Sequence, residues 1–192
     1  MRERLGLLGG TFDPPHVGHL FVAYTAFERL GLTDVRLIPA HQQPLKQGSV
    51  TTPAHHRLAM TRLLAAEDPR LTVDPVELER GGLSFTIETV RAYRMAQPTA
   101  ELVVLLGEDA ARTLPQWRES AALAAEARLV VVTRGEEGSV NAGVPVERVA
   151  TRRVDVSATE IRERVRTGLP IRGFVPGPVA DYIAEHGLYR TT

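Results

Sequence analysis

Two histidines three residues apart, His16 and His19, stand where a Gly- and Pro-rich turn meets an apolar stripe of helical spacing. At that separation both imidazoles can lie on one face of a helical turn and donate hydrogen bonds to phosphoryl oxygens. The string around them is Gly9-Gly10-Thr11-Phe12-Asp13-Pro14-Pro15-His16-Val17-Gly18-His19-Leu20. Gly9 and Gly10 tolerate positive φ and close approach of the backbone to a ligand. Pro14 and Pro15 stop a strand and preset φ for helix entry. Gly18 removes a side chain beside the first helical turn, where a phosphate would need room. An ordinary tight turn with two surface histidines is the alternative, and so many co-placed residue types argue against it.

A second constellation lies near the other end: Val156-Ser157-Ala158-Thr159-Glu160-Ile161-Arg162. Ser157 with Glu160 three residues on is a capping box that starts a helix. A helix N-terminus carrying Ser157, Thr159 and Arg162 can also cradle phosphate. Alone, the segment reads as a well-capped surface helix; beside the first motif, the cradle is the stronger reading. Three smaller groups follow strand-like runs. Asp109, just after Gly107, can accept hydrogen bonds from a ribose or a substrate nucleotide. Trp117 offers an aromatic face to a planar ring, unless it is simply core. Ser84-Phe85-Thr86 opens a helix whose first amides, with the Thr86 hydroxyl, suit an anion, or Ser84 merely caps it.

These groups need a scaffold, and the hydrophobic pattern supplies one. Residues 5–8 form an apolar run, followed by Leu20, Ala23 or Tyr24, Phe27 and Leu30 at helical spacing over 17–30. Strand-like runs recur at 35–39, 71–73, 102–106 and 129–133. Helical stretches fall between them at 54–66, 84–95, around Ala110 and at 121–125. The alternation predicts an α/β fold, a Rossmann-like doubly wound parallel sheet with helices on both faces. From about Val156 the chain reads as a small C-terminal segment of two helices joined by a turn. Residues 42–53, 79–83 and 135–145 read as mobile loops, the first at the carboxyl end of a strand, where such sheets build ligand sites.

Composition narrows the function. The chain of 192 residues is long enough for one full domain spanning residues 1–192. Lys and Arg number 23, as do Asp and Glu, so no basic footprint for nucleic acid or membrane stands out. With no cysteine, disulfides, thiolate chemistry and Cys-based zinc sites are excluded. No apolar run approaches the length of a membrane span and the N-terminus is no signal peptide, so a cytoplasmic protein is expected. Homo-oligomer formation is left open.

The string GGTFDPPHVGHL resembles the HxGH signature of the nucleotidyltransferase superfamily, in the form found in bacterial nicotinate-nucleotide adenylyltransferases. Residues 156–162 resemble the family's IS(S/A)TxIR segment, which there lies over the ATP phosphates. Gly107, Asp109, Pro115 and Trp117 match its GxDxxxxxPxW pattern, and Ser84-Phe85-Thr86 its S(F/Y)T, used there for the nicotinate carboxylate. The resemblance extends from residue 5 to Tyr189.

It implies transfer of AMP from ATP to nicotinate mononucleotide. His16, His19, Lys46 and Arg162 would act on the phosphates. Gly9, Gly10, Thr11, Phe12, Gly18, Gly107, Asp109, Arg134, Ser157 and Thr159 would bind ATP. Asp13, Ser84, Phe85, Thr86 and Trp117 would bind the nicotinate nucleotide. Mg²⁺ would be held mainly by ATP phosphates, since no carboxylate cluster has ligand spacing. The chain departs from the family at PPH(K/R), where it has Gln43-Pro44-Leu45-Lys46; Lys46 keeps the cation, and Leu45 replaces a histidine for which His41 could substitute. His55, His56 and His186 read as surface or satisfied histidines. Two rivals stand beside this reading: a pantetheine-phosphate adenylyltransferase, which usually carries TxGH and lacks the S(F/Y)T and PxW segments, and a non-catalytic nucleotide sensor.

Overall fold

Successive strand residues point to opposite faces of a sheet, so an uninterrupted apolar run feeds two cores at once. The computed structural model, which describes residues 3–46, 51–134 and 141–190, shows this division. Leu8, Val35, Leu37, Val103, Leu105 and Val130 enter the first core. Leu5, Leu7, Ile38, Leu102, Val104, Leu106, Leu129 and Val131 enter the second. Nothing polar interrupts the centres at residues 5–8, 102–106 and 129–132, which is why they read as solid runs, whereas Arg36 stands between Val35 and Leu37.

The strands are β1 (Arg4–Gly10), β2 (Asp34–Pro39), β3 (Leu71–Val73), β4 (Glu101–Gly107), β5 (Arg128–Arg134) and β6 (Glu147–Thr151). They form one six-stranded sheet in the order β3-β2-β1-β4-β5-β6, with every pairing parallel. The first core is roofed by α1 (Val17–Leu30), α2 (Ala54–Ala65), α7 (Ala158–Arg166) and α8 (Gly177–Glu185), through Phe27, Met60, Ile161 and Ile183 among others. On the opposite face lie α4 (Thr86–Ala96), α5 (Glu108–Thr113) and α6 (Ser120–Glu126), through Ile87, Ala111 and Leu123. This is the expected doubly wound architecture. The strand order reverses between β1 and β4, so a crevice opens at their carboxyl ends.

Two elements depart from the pattern read in the sequence. Residues 79–83, expected as a loop, include the end of α3 (Val76–Arg80), a helix of 5 residues and too short to show periodicity. The edge strand β6 buries only Val149, so its alternation carries almost no hydrophobic signal. Part of each remaining expected loop, residues 47–50 and 135–140, lies outside the described residues.

Candidate active site

The turn from β1 into α1 is built around a buried ring. Phe12, not Gly9 or Gly10, takes the left-handed conformation, with φ of 51°. Its side chain is 2% exposed and stacks obliquely on His19 at 4.8 Å between ring centroids. A Cβ on Gly10 would come within 3.2 Å of that ring. The expected role of Gly10 is therefore corrected: it makes room for Phe12 rather than supplying positive φ. The Phe12 ring is core, so a ligand would meet this residue through its main chain.

His16 is the N-cap of α1 and His19 its third residue, with their rings 3.9 Å apart. The His16 N–H donates to His19 Nδ1 at 3.1 Å, the place a Glu or Gln takes in a capping box. Because Nδ1 accepts, the neutral ring carries its proton on Nε2. Burial pulls the His19 pKa down to about 4, against a smaller opposing effect of the His16 backbone. His19 is thus a neutral donor through Nε2–H near neutral pH.

Gly18 has a neighbour that the sequence does not reveal. A Cβ there would lie 2.9 Å from His16 Nδ1 and 3.0 Å from its Cε1. Gly18→Ala is expected to keep or raise the melting temperature, since Ala favours a helix over Gly by roughly 0.5–1 kcal/mol. The His16 ring must swing away, however, and misplacement by about 1 Å can cost about 10²-fold in rate. A variant as stable as wild type with unchanged kcat would show that the position of His16 is immaterial.

The two distant motifs meet in space. Arg162 donates from Nη1 to the Asp13 carbonyl at 2.7 Å and from Nη2 to Thr159 Oγ1 at 3.2 Å. The Val156 carbonyl lies 3.9 Å from the point a Gly18 Cβ would occupy. Ser157 caps α7, accepting from Glu160 N at 3.1 Å, which leaves its hydroxyl proton to donate, and Thr159 is exposed. The start of α7 therefore sits over the first turn of α1.

Behind this turn is a polar clasp. The Asp13 carboxylate is 6% exposed and accepts from Tyr189 OH at 2.7 Å and Thr52 N at 3.0 Å. Each oxygen takes one hydrogen bond from a distant part of the chain, so the carboxylate acts as a tie in the fold. Burial and the Asp13 charge keep the Tyr189 hydroxyl protonated. Arg57, on α2, is 2% exposed and donates to four main-chain carbonyls: Thr11 at 2.8 Å, Ala40 at 2.7 Å, Thr52 at 2.9 Å and His41 at 3.2 Å. One guanidinium thus fastens the loops after β1 and β2 to the segment leading into α2.

Across the crevice, a Cβ on Gly9 or Gly107 would meet nothing within 4 Å, so bare backbone faces open space at the ends of β1 and β4. Asp109 is exposed in the first turn of α5. Trp117 is partly buried, donates Nε1–H to Thr113 Oγ1 at 3.0 Å and packs on the second core. Ser84 does not cap α4: Phe85 is the N-cap, and no side chain caps that helix. Ser84 Oγ instead accepts from His41 N at 2.9 Å, and Ser84 N donates to the Gln42 carbonyl. His41 is exposed and holds the Gly82 carbonyl through Nδ1. These contacts bind the loop after β2 to the start of α4. Leu45 is half-exposed, in a short 3₁₀ turn with the Lys46 backbone. The side chains of Lys46 and Arg134 lie outside the described residues.

Comparison with known proteins matches residues 7–164 to a cytidylyltransferase-like family model. A protein of Gemmatimonas aurantiaca named probable nicotinate-nucleotide adenylyltransferase is 54% identical, over 97% of this chain and 92% of that protein. One of the same name from Thermus thermophilus is 43% identical, over 97% of this chain and 100% of that protein. The chain belongs to the cytidylyltransferase-like family, among the nicotinate-nucleotide adenylyltransferases. Its fold is also that of Plasmodium falciparum nicotinic acid mononucleotide adenylyltransferase complexed with NaAD: the TM-score is 0.79 at 16% identity, over 97% of each chain.

Within this family frame, the sequence motifs locate the turn, the α7 segment and the start of α4. Arg57 escapes them. Arg57 had a signal: it shares the buried stripe of α2 with Met60, Thr61 and Leu64, where a lone cation must find acceptors. Among the described residues, no three His, Cys, Asp or Glu side chains come together to hold a metal ion. None of the described helices is long and apolar enough to cross a membrane.

Proposed function

We propose that this chain transfers AMP from ATP to nicotinate mononucleotide, giving deamido-NAD and pyrophosphate. The observation that carries the reading is the meeting of Arg162 with the His16–His19 turn beside the strand-order reversal. Donors and a cation converge there from motifs 149 residues apart in sequence.

The nucleophile is the substrate's own phosphate monoester, whose second pKa is about 6, so it is largely dianionic and needs no general base. Its oxygen bonds to the ATP α-phosphorus in line as the bond to the bridging oxygen breaks, and pyrophosphate leaves. The protein aligns the groups and stabilises charge on the α-phosphate and the departing pyrophosphate. We assign this work to His19 Nε2–H, His16, Arg162 and Lys46. The open backbone at Gly9 and Gly107 admits ATP, with Thr11, Asp109, Thr159 and Arg134 around it. Mg²⁺, when bound, would be held mainly by the ATP phosphates and would offset their charge. We place the reaction in the cytoplasm.

The pyridine carboxylate is assigned to the first amides of α4 and the Thr86 hydroxyl, with Phe85 and Trp117 beside the ring. An uncapped helix start offers donors only. The amide of nicotinamide would turn its NH₂ toward those donors and leave at least one unpaired. That costs roughly 1–3 kcal/mol, so the acid should be preferred by about 5- to 150-fold in kcat/KM. Pyrophosphate release with ATP plus nicotinate mononucleotide, nicotinamide mononucleotide or phosphopantetheine tests this directly. Equal kcat/KM for acid and amide would overturn the assignment of the pyridine subsite. Turnover with phosphopantetheine alone would favour the sister enzyme.

A further inference from the structure

The start of α4 is held by a buried carboxylate on an element outside every motif. Glu77 of α3 is 6% exposed. Thr89, the fourth residue of α4 and 2% exposed, donates its hydroxyl to Glu77 Oε1 at 2.7 Å. Ser84, immediately before the N-cap and 9% exposed, lies beside the same carboxylate and its side chain favours the charged form. Ser84 Oγ accepts from His41 N, which leaves its proton to point at the carboxylate. Arg80 completes the group, donating to Thr89 Oγ1 at 3.1 Å and lying 4.0 Å from Glu77 and 3.7 Å from Glu88.

The positions that Glu77 joins are those of a hydrophobic staple, the residue before the N-cap and the fourth helical residue. In a staple, contact between those two side chains fixes the angle at which the chain meets its helix. Here one carboxylate does so with two hydroxyls. It also occupies Ser84, the side chain best placed to compete for the α4 amides. A buried carboxylate near an anion subsite carries a desolvation penalty and repels the ligand. A purely structural filler would have neither drawback.

We infer that Glu77, through Ser84 and Thr89, is a positioning residue that aims the first amides of α4 at the substrate's pyridine carboxylate and so sets acid-over-amide preference. This rests on the substrate reading above. Its distinctive consequence is that the hydroxyl at position 89 matters, rather than the volume.

The test is steady-state kinetics of wild type, Thr89→Val, Thr89→Ser and Glu77→Gln with both mononucleotides and with ATP. Thr89→Val keeps the shape and loses the hydroxyl. It should raise KM for nicotinate mononucleotide about tenfold, the scale of one lost hydrogen bond to a charged group. Its KM for ATP and kcat should stay within about twofold, and its acid preference should narrow by the same factor. Thr89→Ser, smaller but still a donor, should keep the wild-type preference. Glu77→Gln should shift in the direction of Thr89→Val; if it does not fold, the Thr89 pair decides. Wild-type preference in Thr89→Val, an equal loss in Thr89→Ser, or a parallel loss for all three substrates would overturn the inference. A wild-type enzyme that transfers no AMP to nicotinate mononucleotide would instead overturn the substrate reading.

Discussion

His19→Ala is expected to lower kcat by about 10²–10³-fold while leaving the protein folded, the usual cost of losing one preorganised donor to developing charge. The geometry gives this a specific form. Nδ1 is occupied by the His16 N–H, so the active proton is on Nε2, and burial keeps the ring neutral with a pKa of about 4. The donor therefore persists from above neutrality down to about pH 5, and kcat of wild type should show no titration of this ring there. Stability behaves differently. In the unfolded chain the ring titrates near 6.5, so it takes up a proton on unfolding once the pH falls below that value. The stabilisation is complete above pH 6.5 and is lost as pH falls toward 4, by up to about 3 kcal/mol. His19→Ala should remove this slope. Melting curves of both proteins between pH 7 and 4 check it. A near-normal kcat in the variant would reduce His19 to its capping role.

What could be read from the sequence, and what could not, divides along the physics of each signal. Strands buried on both faces announce themselves as solid apolar runs, and a 14-residue helix such as α1 has room to show its period. The strand β6 and the helix α3 have neither property. The motifs around His16 and Arg162 are legible because glycines, prolines and capping residues impose local geometry. Their mutual contact is not, since Arg162 to Asp13 joins residues 149 positions apart.

Backbone strain falls elsewhere than the sequence suggests for a related reason. Glycine is the residue that most readily takes positive φ, yet packing forces that conformation on Phe12, because a buried ring over Gly10 gains more than the dihedral costs. Asp13 likewise has partners that its neighbours in sequence do not reveal: only the fold brings Tyr189, 176 positions away, onto its carboxylate. Side chains that touch substrate tend to sit in recognisable strings. Those that hold the strings in place are chosen by tertiary contact, and Arg57 and Glu77 are of this second kind.

Arg57→Met tests that distinction most severely. Exchanging a buried ion pair for apolar side chains is often harmless, because both partners can change together. The partners of Arg57 are main-chain carbonyls of Thr11, Ala40, His41 and Thr52, which no substitution removes. Each buried carbonyl left without a donor costs roughly 1–3 kcal/mol. The exposed edges of these loops let water recover part of it, so a loss of about 4 kcal/mol is expected, against about 5–15 kcal/mol for a whole domain. Arg57→Lys keeps the charge but not the planar fork that reaches four acceptors, and should fall between Met and wild type. Urea denaturation of the three proteins gives the order. Below its midpoint, Arg57→Met should also lose kcat, because the loops after β1 and β2 no longer share a fixed anchor. A Met variant within about 1 kcal/mol of wild type would mean that the carbonyls find water on their own, and that the bonds of Asp13 to Tyr189, Thr52 and Arg162 suffice to hold the turn carrying His16 and His19.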